Sequence, residues 1–141
     1  GDTTGFSPCT AEAVIEVLKA YDIELTGKRV TVVGRSMVVG KPVSMLLLKE
    51  NATVTMTHTR TVDLKKTCSD AEIVIAAAGR AKMLNSDYVG INVDENGKLC
   101  GDVDYATLDG KVSAATPVPG GVGTVTTAVL AKHLIQAAKM R

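Results

Sequence analysis

Aromatic side chains are nearly absent: three Tyr, one Phe and no Trp, 3% of 141 residues. The core must therefore come from Val, Ile, Leu, Ala and Met, and a 45% apolar content makes one domain of ordinary size feasible. Charge of one sign is missing too. The 16 basic and 15 acidic side chains nearly cancel, which gives no reason to expect a nucleic acid or an anionic membrane as partner. No basic run interleaved with aromatics suggests a nucleic-acid surface either. The three cysteines, Cys9, Cys68 and Cys100, are odd in number and far apart. They fit neither a disulfide framework nor a Cys-x-x-Cys zinc site, so reduced thiols in a cytoplasmic or organellar-matrix setting are expected, with cytoplasm preferred. No apolar run approaches the roughly 20 residues that span a bilayer, and no basic-plus-apolar leader opens the chain. The first residue is Gly rather than Met, as in a processed protein, an excised domain or an incomplete chain.

What the chain does have is Lys28 to Pro42, KRVTVVGRSMVVGKP. A β-branched run stops at Gly34-Arg35-Ser36, and Gly40-Lys41-Pro42 leads into the leucine-rich stretch after it. Strand, glycine turn and helix is the unit that sets backbone N–H groups against a phosphate. The spacing departs from G-x-G-x-x-G, because Ser36 holds the middle position. A turn that binds nothing is the competing reading.

Around this stretch the pattern predicts an α/β fold: a Rossmann-like parallel sheet with helices on both faces, in one domain over residues 1–141. A helix is expected from Ala11 to Ala20 with Thr10 as N-cap. Strands are expected at Arg29–Val33, Thr53–His58 and Ile73–Ala78, with helices from about Pro42 to Leu48 and from Asp63 to Cys68. Pro42 is expected to hold Lys41 out of the helical region. Further on, the pattern predicts a helical turn at Ser86–Val89, a hairpin turn centred on Asn96-Gly97, a short strand at Lys111–Ala115 and a closing helix from Thr126 to Lys139. Two prolines and three glycines between Thr116 and Gly123 suit a tightly shaped loop.

The end of the second strand bears on the cofactor. NAD sites place an acid roughly 20 residues past the glycines, on the ribose 2′-OH; here the place holds His58-Thr59-Arg60-Thr61. Guanidinium groups at Arg35 and Arg60, with the Thr59 and Thr61 hydroxyls, suit a 2′-phosphate, which favours NADP. Ordinary solvated arginines are the alternative. His58 has no partner at metal spacing, and no metal is expected. His133, within an amphipathic helix, reads as structural. No nucleophile–base–acid set and no paired carboxylates stand out.

Three stretches together, Gly34–Pro42, Ala52–Thr55 with His58–Thr61, and Thr116–Gly123, closely resemble the bifunctional methylenetetrahydrofolate dehydrogenase/methenyltetrahydrofolate cyclohydrolase family. Pro8-Cys9-Thr10 resembles the entry to that family's cofactor-binding half. The resemblance implies an enzyme that oxidises 5,10-methylenetetrahydrofolate with NADP or NAD and hydrolyses the methenyl product to 10-formyltetrahydrofolate. It implies that Gly34, Arg35 and Ser36 line the dinucleotide, with Arg35 and Thr59 toward the 2′-phosphate. His58 and Thr61 would border the pocket, Ala78 and Gly79 floor it, and Ile91 lie near the nicotinamide amide. Gly121, Gly123 and Thr126 would close around the nicotinamide and face the folate. A tetrahydrofolate derivative is the implied partner; self-association is expected separately, from the sheet surface that a strand missing after Val89 would expose.

Two departures qualify this. The family's catalytic lysine, in a Tyr-x-x-x-Lys motif, belongs to an N-terminal domain; Tyr21, Tyr88 and Tyr105 each lack a lysine four residues on, so no catalytic residue is assigned. The family also has a turn and an apolar strand between Val89 and Gly90 that this sequence lacks. Three arrangements meet that gap, expected in this order: a segment present but unrecorded, a strand supplied by a neighbouring chain, or Gly90–Val93 serving as a poor strand. The chain is thus read as the NADP-binding domain of the folate enzyme, inactive alone. The alternative is a non-catalytic α/β scaffold that keeps the fold without cofactor.

Overall fold

In a computed structural model the described residues are 5–80, 83–84, 92–93, 99–100, 114–117 and 119–140, with backbone only at 92–93 and 99–100. The central strand is β1 (Arg29–Val33), paired in parallel on one side with β2 (Thr53–Thr57) and on the other with β3 (Ile73–Ala76). The strand order is β2-β1-β3. From β1 the chain crosses to one side, and from β2 it crosses back over β1, which puts the topological switch point between β1 and β3.

Alternation along β1 distributes side chains to two faces. Val30 and Val32 join a core with Ala11 and Ile15 of α1 (Cys9–Ala20) and with Val43 and Leu47 of α2 (Gly40–Lys49). On the opposite face, the Thr31 hydroxyl donates to the Thr67 carbonyl at 3.1 Å, and Val33 packs with Cys68 and Leu84. Thr67 and Cys68 belong to α3 (Leu64–Ser69). Helices therefore cover both faces of a parallel sheet, the architecture that the sequence pattern predicts. Asn92–Val93 (β4) and Leu99–Cys100 (β5) pair antiparallel, and the Asn-Gly turn expected between them lies outside the described residues. The last helix, α4 (Val122–Lys139), packs on α1, where Ala13, Val122 and Val129 form a separate cluster.

Several boundaries differ from expectation. α1 begins at Cys9 with Pro8 as N-cap, because the Pro8 carbonyl already accepts the Glu12 N–H at 3.1 Å; Thr10 lies inside the first turn. α2 begins at Gly40, and Lys41 is helical. Pro42 is its third residue, where an absent N–H costs nothing. Asp63 is the N-cap of α3 rather than its first residue, with φ 49° and its carboxylate accepting the Lys66 N–H at 3.1 Å. β2 and β3 stop at Thr57 and Ala76, short of His58 and Ala78. Ala114 and Ala115 are not in a strand. α4 starts four residues earlier than Thr126. The Val89–Gly90 join, Ile91, the Ser86–Val89 turn and residues 111–113 lie outside the described residues.

Candidate functional site

At the switch point the β1–α2 turn is closed by backbone contacts that exclude side chains. Gly34 has φ +115°, and a Cβ there would run into the Ala77 carbonyl beyond β3. A Cβ on Gly40 would run into the Gly34 carbonyl. Only glycine permits both approaches, one by its positive φ and one by its missing side chain. The Gly34 N–H donates to Thr57 O at 3.1 Å, and Ala77 N–H to Val33 O at 2.7 Å, so the carboxyl ends of all three strands are tied at one place.

Ser36 organises the turn. Its Oγ accepts the N–H groups of Val39 (3.1 Å) and Gly40 (3.2 Å), and its carbonyl accepts the Lys41 N–H at 2.9 Å. With Pro42 having no N–H, the first donors of α2 are all satisfied within the chain. Among the described residues, the amides of Arg35, Ser36, Met37 and Val38 carry no such bond. This row of amides, in an exposed segment, is where an anion can be held by backbone donors. Sequence reasoning named Arg35 and Ser36 but missed Met37 and Val38, whose apolar side chains hide the role of their N–H groups.

The β2 end is a second side-chain-built turn. The Thr61 hydroxyl accepts the His58 N–H at 2.9 Å, His58 O accepts the Thr61 N–H at 2.9 Å, and His58 Nδ1 accepts the Arg60 N–H at 3.1 Å. In the neutral ring the remaining nitrogen, Nε2, then carries the hydrogen. His58 and Thr61 shape the turn, while the side chains of Thr59 and Arg60 are exposed, as is that of Arg35. The nearest acid, Asp63, is engaged as the α3 N-cap.

Beyond β3, Ala78 is half-buried and Gly79 is exposed with φ +66°. Gly121 cannot carry a Cβ, which would meet the Pro117 carbonyl; Gly123 is open. The Thr126 hydroxyl donates to Val122 O at 2.9 Å within α4. The structure thus gathers Gly34, Arg35, Ser36, His58, Thr59, Thr61, Ala78 and Gly79 at the strand ends. Gly121, Gly123 and Thr126 sit at the start of α4, which is anchored to α1. A depression of about 190 Å³ lined by Lys19, Ile23, Glu24, Leu25, Thr26 and Glu50 opens at the other, amino end of the strands. Among the described residues no cluster of His, Cys, Asp and Glu is arranged to hold a metal ion, and no helix is long and apolar enough to cross a membrane.

Residues 8–141 match the family model of the tetrahydrofolate dehydrogenase/cyclohydrolase NAD(P)-binding domain. The chain belongs to this family. The bifunctional protein FolD of Clostridioides difficile is 55% identical over 150 residues, covering 100% of this chain and 52% of that protein. A FolD crystal structure from Campylobacter jejuni superposes with a TM-score of 0.92 at 42% identity, over 99% of this chain and 52% of the other. The Trypanosoma brucei enzyme, complexed with NADP cofactor and inhibitor, gives 0.79 at 36% identity, over 90% and 48%. The chain spans about half the length of the curated relatives that it matches. The C. difficile alignment is longer than the 141 residues of this chain, so that relative carries residues without counterpart here.

Proposed function

We propose that this chain is the NADP-holding half of an enzyme that oxidises 5,10-methylenetetrahydrofolate and hydrolyses the methenyl product, and that alone it catalyses neither step. The observation that carries the reading is the amide row from Arg35 to Val38 at the switch point, flanked by exposed arginines at positions 35 and 60. The donor set suits the cofactor. Backbone N–H groups and guanidinium groups match phosphate oxygens, and the one acid near the β2 end is bound to its own helix. That composition favours a 2′-phosphate over a free 2′-OH, and the T. brucei relative complexed with NADP supports the choice.

When bound, NADP supplies the hydride acceptor. The chain's own part is placement: Arg35 and Thr59 toward the 2′-phosphate, His58 and Thr61 as the shaped border, Ala78 and Gly79 as floor. Ile91 is assigned near the nicotinamide on the resemblance alone. Gly121, Gly123 and Thr126 would close over it from α4, toward a tetrahydrofolate derivative held with the other half of the enzyme. Hydride transfer asks for orientation above all, so backbone-rich positions suffice. Domain limits of 1–141, a reducing cytoplasmic setting for the free thiols Cys9 and Cys68, and self-association belong to the same reading. For self-association the support is the apolar surface of Met45, Leu48 and Met56 beside the β2 edge.

Calorimetric titration with NADP and NAD tests the proposal, together with an assay of methenyltetrahydrofolate hydrolysis. The expected result is NADP binding tighter than NAD and no enzymatic hydrolysis. A chain that binds neither dinucleotide would favour the bare scaffold instead. Hydrolysis at roughly 1 per second or more, ordinary for an enzyme, would overturn the assignment of catalysis to the other half.

A further inference from the structure

α1 and α4 meet at a cluster that the dinucleotide site does not use. Cys9 is the first residue of α1, Glu12 lies one turn further on, and His133 reaches them from α4. His133 is only 7% exposed. Its Nε2 lies 2.9 Å from Glu12 Oε2 and its Nδ1 3.6 Å from Cys9 Sγ. An ionised carboxylate only accepts hydrogen bonds, so in the neutral ring Nε2 carries the hydrogen and Nδ1 turns its lone pair toward the sulfur. The imidazole is held from two further sides. Lys132 Nζ bridges Glu12 Oε1 (2.9 Å) and Glu16 Oε1 (2.8 Å), and the Phe6 ring stacks on His133 with centroids 4.8 Å apart.

Nucleophile, base and orienting carboxylate thus stand in the order that covalent chemistry uses. Cys9 is half-buried, packed at the margin of the Ala13, Val122 and Val129 cluster, while its base is shielded. Cys68 offers the contrast. It is buried on the far face of the sheet among apolar neighbours, with no base beside it among the described residues.

We propose that Cys9 is a nucleophilic thiol, with His133 as its base and Glu12 as the group that orients the base, and that it reacts with low-molecular-weight disulfides. In the step, Cys9 Sγ attacks one sulfur of the disulfide as its proton passes to His133 Nδ1. A new S–S bond forms, the original one breaks, and the departing thiolate takes the proton back from Nδ1. The incoming disulfide is the oxidant, and one half of it leaves as thiol. The inference stands apart from the dinucleotide reading, since none of its residues belongs to that site.

The test is incubation of the 141-residue chain with hydroxyethyl disulfide at neutral pH, the mixed disulfide at each cysteine being followed by peptide mass spectrometry. Cys9 is expected to react faster in the native chain than in the urea-unfolded chain, and Cys68 far more slowly than Cys9. His133→Asn and Glu12→Gln should each slow Cys9 by about tenfold or more, within what a positioned base contributes. If His133→Asn unfolds, shown by Cys68 becoming reactive, Glu12→Gln decides, because it keeps the side-chain volume and removes the charge. A native Cys9 rate at or below the unfolded one overturns the proposal, as does an unchanged rate in either folded variant.

Discussion

The β1–α2 turn and the α1–α4 seam are held by opposite means. The turn is backbone against backbone: Gly34 on Ala77, Gly40 on Gly34, with a single hydroxyl, that of Ser36, closing it. The seam is side chain against side chain, with Lys132, Glu12, Glu16 and His133 linked above a small apolar cluster. A backbone device is insensitive to pH but intolerant of one added methyl group. A charge network accepts side-chain changes but responds to protons. The turn therefore fixes geometry for a ligand, while the seam fixes how one helix sits on another.

The largest expected effect breaks the turn. Gly34→Ala places a Cβ against a backbone carbonyl at a φ that disfavours it, and strain and overpacking together should cost about 3 kcal/mol or more. Urea unfolding measures the loss; a variant within about 0.5 kcal/mol of the parent would mean that the strand ends separate easily.

Next, Arg35→Ala should leave the turn standing and weaken NADP by about ten- to a hundredfold, or roughly 1.5–3 kcal/mol, with NAD nearly unchanged. Titration of both cofactors separates the cases. Equal losses would place the guanidinium on the pyrophosphate or on the fold.

Ser36→Ala leaves two α2 amides without their acceptor, at a cost of about 1–2 kcal/mol of stability, and should weaken NADP and NAD alike because the whole amide row shifts. Ser36→Thr, keeping the hydroxyl, should restore both. Failure of Thr to rescue would show that the site needs the smaller side chain itself.

The smallest effect belongs to the seam. Burial alone would raise the Glu12 carboxyl, but hydrogen bonds from Lys132 and His133 outweigh it and hold it below its ordinary value of 4.5. The pairing therefore stabilises the fold fully above about pH 4.5 and is lost as pH falls through the lower native value. Lys132 runs the other way. The Glu16 and Glu12 carboxylates raise its ammonium to about 12, so its contribution persists up to its ordinary 10.5 and disappears as pH rises through about 12. Glu12→Gln should flatten the acid arm of a stability–pH curve by about 1 kcal/mol while leaving the Gly34 turn intact. An unchanged acid arm would mean that the seam is held by its apolar cluster, Ala13, Val122 and Val129 with their neighbours.

Strand and helix identity along the first 76 residues was legible because each element announces itself locally. The β-branched run before Gly34, the apolar Ile73–Ala76 and the leucine row of α2 need no distant partner to be recognised. Helix starts were less legible. Pro42 was read as blocking a helix at Lys41, yet a first-turn proline leaves that position free, and α4 begins at Val122 because the Gly120-Gly121 turn feeds it directly. Of the site, Gly34 and Ser36 could be named from sequence, but not what they do: whether Ser36 Oγ meets a phosphate or caps α2 depends on where the chain turns back.

By itself, the sequence determined the alternation of strands and helices, the glycine turn, the absence of an acid after β2 and the family to which these belong, since spacing and side-chain chemistry are local properties. Only the tertiary structure decided the seam. Cys9 and Glu12 lie more than a hundred residues from His133 along the chain, and no periodicity within either helix records which face of the other it will meet. That choice follows from packing α4 onto the Ala13 side of α1, away from the Ala11 and Ile15 side that meets the sheet. A thiol, an imidazole and a carboxylate unremarkable in sequence become neighbours there.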